Sequence, residues 1–126
     1  MASVDHEQTY QLSIDHIRTV ITERSPGSFV LGVIAEDGTF TPQVVGRATN
    51  DVRQELEYQA HLNTHHNGFR FRYAASPHEA FEQQCQAFHA CGECEGLENK
   101  AHPARPSHTD WLCPVCGSAF LKGDTV

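Results

Sequence analysis

Gly27-Ser28-Phe29-Val30-Leu31-Gly32-Val33-Ile34-Ala35-Glu36-Asp37-Gly38-Thr39-Phe40 is the stretch on which the fold turns. Residues 28–35 are mostly apolar, which reads as a strand. Glu36-Asp37-Gly38 supplies turn chemistry, so 39–46 reads as the returning strand of a hairpin. Pro42 has no N–H to give a ladder, and this strand is therefore expected to be irregular or partly at an edge.

Outward from the hairpin, Ile14, Ile17, Val20 and Ile21 recur at helical spacing from Ser13 until Pro26-Gly27 stops the pattern. On the other side, Asn50-Asp51 can cap a second helix with Val52, Leu56 and Ala60 on its apolar side. Phe69-Arg70-Phe71-Arg72-Tyr73 alternates strictly, aromatics on one face and arginines on the other, as a half-buried strand does. Ser76-Pro77-His78-Glu79 is a capping box with proline at the first helical position, predicting a third helix that buries Ala80, Phe81, Cys85 and Phe88.

The 126 residues carry 16 acidic and 9 basic side chains, a formal net charge of −7. One domain fits that length. The acidic balance argues against a strong nonspecific grip on nucleic acid, whose affinity comes mostly from neutralising phosphates. The longest apolar run, Phe29 to Ala35, is far too short to cross a bilayer, so no membrane association is expected. The start Ala2-Ser3-Val4-Asp5-His6-Glu7 is polar and unlike a secretory leader, which points to a reducing cytoplasm rather than to disulfides.

Four of the five cysteines form two knuckles, Cys91-x2-Cys94 and Cys113-x2-Cys116. Two residues between cysteines let both thiolates of a knuckle reach one ion, and the second knuckle completes a tetrahedral shell. The expected occupant is one structural Zn2+ per chain held by Cys91, Cys94, Cys113 and Cys116, because a closed shell leaves no position for water. His89 and His102 flank the first knuckle as alternates for a cysteine. Cys85 reads as a buried thiol acting as a small hydrophobe, and Trp111 as a packing residue of the metal loop. His65-His66 lies in a polar stretch and reads as a solvated loop.

Hairpin, helix, strand, helix is also the order of the GIY-YIG endonuclease domain, and the chain resembles that family over roughly residues 25–102. Gly27-Ser28-Phe29 looks like the first name-giving tripeptide and Val44-Val45-Gly46-Arg47 like the second. The helix from Asp51 looks like the one that carries the family's arginine, the helix with Glu79 to Gln84 like the one that carries its metal-binding glutamate, and Asn99 like the terminal asparagine. The departures are large. Phe29 and Val44 stand at the tyrosine positions, Glu55 at the arginine position and Gln84 at the glutamate position, so only Asn99 matches; a register shifted by two would offer Arg53 and Glu82. The resemblance implies phosphodiester chemistry in intact members, and these replacements remove its base, phosphate clamp and cation ligand.

The expected fold is α+β, a small antiparallel three-stranded sheet flanked by helices, with a C-terminal zinc-binding loop region. Within one domain over 1–126, an N-terminal helix falls at 13–24, the GIY-YIG-like core at 25–90, the zinc-binding segment at 91–116 and a tail at 117–126. The expected function is a zinc-binding, catalytically degenerate GIY-YIG-like domain that binds DNA or RNA without cutting it, through Arg47, Arg53, Arg70 and Arg72. Two alternatives stay open: a divergent metal-dependent nuclease, or a zinc-stabilised module with a protein partner.

Overall fold

The computed structural model describes residues 8–62, 65–91, 97–98, 102–104, 106 and 109–116. Within them the order is β1 (Tyr10–Gln11), α1 (Ile14–Val20), β2 (Gly27–Ile34), β3 (Phe40–Ala48), α2 (Val52–Leu62), β4 (Gly68–Tyr73) and α3 (Pro77–Ala90). The class is α+β. All strand pairs are antiparallel, in the order β1-β4-β2-β3, so the sheet has four strands rather than the expected three. The additional strand is two residues long, pairing Tyr10 with Phe69 and Gln11 with Gly68. A segment that short carries no periodic signal.

The hairpin forms where its sequence places it. Gly38 takes φ +92° in the turn, a left-handed conformation that costs glycine nothing. β3 is an edge strand, and its pairing with β2 slips between Leu31 and Gly32, so that Leu31 faces Val44 but Gly32 faces Pro42. A bulge beside the proline absorbs the donor that Pro42 lacks.

Side-chain alternation divides the sheet into two buried faces. Phe29 and Leu31 of β2 with Phe69 and Phe71 of β4 form one face, covered by Ile17 and Ile21 from α1 and its C-cap and by Val52 and Leu56 from α2. Val30 and Val45 on the opposite face pack against Ala87 and Phe88 of α3 and against Leu97. α1 is shorter than its apolar pattern suggests, ending at Val20 with Ile21 as an extended C-cap that still buries its side chain. Arg18 on α1 meets Glu57 on α2 at 3.0 Å.

Both later helices begin as their sequences dictate. Asp51 Oδ1 accepts from the Arg53 and Gln54 N–H groups, and Ser76 Oγ accepts from the Glu79 N–H. The Glu79 carboxylate closes its half of the box one residue early, on the Ala75 N–H. No helix among the described residues is long and apolar enough to cross a membrane.

Candidate metal centre

α3 is fixed to the sheet by two adjacent glutamines. Gln83 accepts a 2.9 Å hydrogen bond from Ser28 Oγ and donates to the Tyr73 carbonyl, while Gln84 accepts from Arg47 Nη1 at 2.6 Å and donates to the Val45 carbonyl. With α3 held this way, its last turns direct Cys85 and His89 toward the returning chain. Residues 102–104 and 109–116 come back along the helix, and Arg47 Nη2 donates to the Ala104 carbonyl at 2.9 Å.

The return brings His89, His102, Cys113 and Cys116 together, their donor atoms all within 4.8 Å of one another. The two Nε2 atoms are 3.2 Å apart, Cys113 Sγ is 3.4 Å from His89 Nε2, and Cys116 Sγ is 3.6 Å from His102 Nε2. A tetrahedral ion with zinc-like bonds of about 2.05 Å to nitrogen and 2.3 Å to sulfur has N···N and N···S edges of about 3.3 and 3.6 Å. The observed edges match within about 0.2 Å.

The chemistry of the donors agrees with that geometry. His102 Nδ1 lies 2.8 Å from the Pro103 carbonyl, a bond that only a protonated Nδ1 can donate, which leaves the Nε2 lone pair turned toward the cluster. The Phe88 ring packs edge-on against both imidazoles. The Val115 N–H donates to Cys113 Sγ at 3.4 Å, the backbone pattern of a cysteine knuckle. Cys85, Cys91 and Cys113 are free thiols.

Of the four cysteines expected at the metal, Cys113 and Cys116 stand in the cluster. Cys91 does not join it: as the C-cap of α3 it points back to the Val30 and Val45 side of the sheet, where burial pushes its pKa up. Cys94 lies outside the described residues, as do Asn99, Lys100, Arg105 and the tail 117–126. His89 and His102, which flank the first knuckle in sequence, take part instead. The signal for this was available in the helix period: His89 stands one turn beyond Cys85 on the buried face, whereas Cys91 falls where the helix ends.

Neighbouring aromatics complete the surroundings. Trp111 stacks on His78 with ring centroids 4.5 Å apart and packs against Phe81, the packing role its place before the knuckle suggested. Cys85 is fully buried beside Cys113, and burial first, then the neighbouring Cys113 thiol, drives its pKa far above the ordinary cysteine value. His66 is a correction to the solvated-loop expectation. It is 9% exposed, with Nε2 3.2 Å from a Glu98 carboxylate oxygen.

The four arginines fall into two groups. Arg47 and Arg72 both pair across Ser28 and Arg70 pairs with Val30, so all three share the sheet face on which α3 lies. Arg47 is spent internally, with two nitrogens bonded as above and its guanidinium 5.3 Å from the Phe81 ring. Arg70 bonds Thr9 Oγ1 at 2.8 Å and lies over the Phe40 ring. Arg53 stands apart on α2, the helix covering the opposite face, near Glu57 at 3.8 Å. An open cleft of about 480 Å³ at the end of β3 and the start of α2 brings Arg47, Asn50, Asp51, Glu55 and Tyr58 to one surface. Glu55 there binds Gln59 and offers no positive charge.

Fold and donor set together define a class: a small antiparallel α+β domain in which residues from 102–104 and 113–116 meet the end of a helix in a two-histidine, two-cysteine cluster able to hold a metal ion. No protein-family model matches the chain, and neither a curated protein nor a solved structure matches it significantly.

Proposed function

We propose that the chain is a zinc-stapled binding domain without hydrolytic activity, in which one Zn2+ held by His89, His102, Cys113 and Cys116 fastens the C-terminal segment to α3. The single observation that carries this reading is the set of N···N and N···S separations, which suit a tetrahedral ion of zinc size. Two nitrogen and two sulfur donors are a zinc set, and four protein ligands leave no position for a reacting water. Gln84 supports the absence of cleavage chemistry, because its amide is used to hold Arg47 and the Val45 carbonyl at the place where the GIY-YIG resemblance would require a cation-binding carboxylate.

Elemental analysis of the purified chain tests the metal, with one zinc per chain expected. His89→Ala, His102→Ala and Cys113→Ser should each lose it, while Cys91→Ser should keep it. Zinc lost from Cys91→Ser and Cys94→Ser but retained by both histidine variants would restore the four-thiolate arrangement and overturn this one. Incubation with Mg2+ or Mn2+ and duplex, branched or single-stranded DNA should give no cleavage; turnover that vanishes in Glu82→Gln would show an enzyme instead.

A second reading, nucleic-acid binding, is favoured by one observation, the common sheet face of Arg47, Arg70 and Arg72. Arg47 is committed internally and Arg70 would have to leave Thr9, so at most about two phosphates would be neutralised, and the slope of log K against log salt for duplex DNA should be no steeper than about −2. Arg70→Ala with Arg72→Ala should abolish that slope. Absence of binding at low salt, where phosphate contacts are strongest, would leave a protein as the ligand of the domain.

A further inference from the structure

Cys85 is a described thiol that is not among the cluster's four donors yet packs against one of them, Cys113. It is 0% exposed and shares a small buried cluster with Phe81 and with Cys113, itself 2% exposed, closed on one side by Trp111. Cys85 and His89 are four apart on α3, so they stand one above the other on the same face. The helix thus presents an imidazole to the cluster from one turn and a thiol to Cys113 from the turn before.

We propose that Cys85 is an outer-sphere partner of the metal centre, its thiol donating an S–H···S hydrogen bond to the Cys113 sulfur when that sulfur is a metal-bound thiolate. This rests on the metal-site reading above. A thiolate at a position 2% exposed is cut off from water, and negative charge there needs donors as well as the ion. The Val115 N–H is one donor, at 3.4 Å. Phe81 brings no polar hydrogen to this buried group, and Cys85, packed in it with Cys113 from the helix side, carries a thiol hydrogen. Outer-sphere donors of this kind orient a ligand and temper its charge, and their removal typically costs 10–100-fold in metal affinity. Cys85 is a positioning residue in this account and not a fifth ligand.

Cobalt(II) and zinc(II) binding by the full chain test the inference. Failure of the wild-type chain to bind either ion would sink the metal site itself, whatever Cys85 does. If the wild type binds, Cys85→Val, close in size but without a donor, should hold zinc roughly 10–100-fold more weakly in competition with a chelator. Its thiolate-to-cobalt charge-transfer band should move to lower energy at unchanged intensity, because the thiolate has lost a stabilising hydrogen. Cys85→Ser, which keeps a donor, should stay near the wild-type band. Wild-type affinity and band position in Cys85→Val would reduce Cys85 to packing, and a drop in charge-transfer intensity would make it a ligand; either result overturns the proposal. Should Cys85→Val fail to fold, Cys85→Ala compared with Cys85→Ser carries the same readout, and identical band positions in those two would overturn it as well.

Discussion

Gln84 is 8% exposed between α3 and the sheet, with its amide oxygen on Arg47 and its amide nitrogen on the Val45 carbonyl. Burial lowers the pKa of Arg47 from its ordinary value, since a guanidinium cut off from water is a less comfortable cation. Gln84 and the Ala104 carbonyl offset that cost with hydrogen bonds to two of its nitrogens. Gln84→Ala would leave Arg47 Nη1 without an acceptor and should destabilise the fold by about 1–3 kcal/mol. Urea unfolding followed by circular dichroism should show a lower midpoint at unchanged slope; an unchanged midpoint would mean that Arg47 finds water instead. Gly46 matters for a different reason. A Cβ there would run into the Phe29 ring, which is buried over the glycine in the α1 and α2 core.

At the scale of elements, α3 carries one donor of the candidate metal cluster, His89, and its first turn is set by local chemistry. Ser76 caps it, Pro77 occupies the position that needs no N–H, and Glu79 reaches back to Ala75. Loss of the cap in Ser76→Ala should cost about 1 kcal/mol, read as a lower thermal midpoint. Zinc stoichiometry should stay at one, because His89 lies more than three turns from the cap and is held by the Gln83 and Gln84 bonds nearer to it. The reverse outcome, loss of metal without loss of stability, would show that the helix start and the ligand turn are coupled more tightly than these contacts imply.

The described residues divide into a sheet core packed apart from the candidate metal cluster and a return segment that carries two of its four donors. The core on the α1 and α2 side is apolar and continuous from Ile17 to Phe71. The return is tied down by the four donors, by Arg47 on Ala104 and by the Trp111 stack. Metal binding of this kind is worth on the order of 10–16 kcal/mol in isolated zinc modules and is linked to folding. Chelation should therefore speed amide exchange first at 102–104 and 113–116 while β2, β3 and β4 keep their protection, as hydrogen exchange with mass analysis would show. Simultaneous loss of protection everywhere would make the metal part of a single cooperative unit.

The sequence by itself determined every described element except β1, and their order, because each rests on information within a few residues: the hairpin on Asp37-Gly38, the alternating strand on Phe69 to Tyr73, the third helix on Ser76 to Glu79. Its Cys113-x2-Cys116 spacing likewise singled out two of the four side chains that the fold brings within reach of one ion. Only the tertiary structure decided the rest. β1 exists because β4 offers Tyr10 and Gln11 an open edge, a pairing across almost sixty residues that two side chains cannot announce. His66 is buried, and Glu98 from a segment 32 residues further on reaches its Nε2. The partners of the Cys113 knuckle depend on which side chains the last turn of α3 aims at the returning chain. Sequence spacing favoured Cys91, but the helix ends there and its thiol turns toward Val30 and Val45, while His89, one turn past Cys85, faces Cys113. Spacing tells which residues a single ion could join; the direction of each Cα–Cβ bond, fixed by the packing of helix on sheet, decides which donor atoms come together.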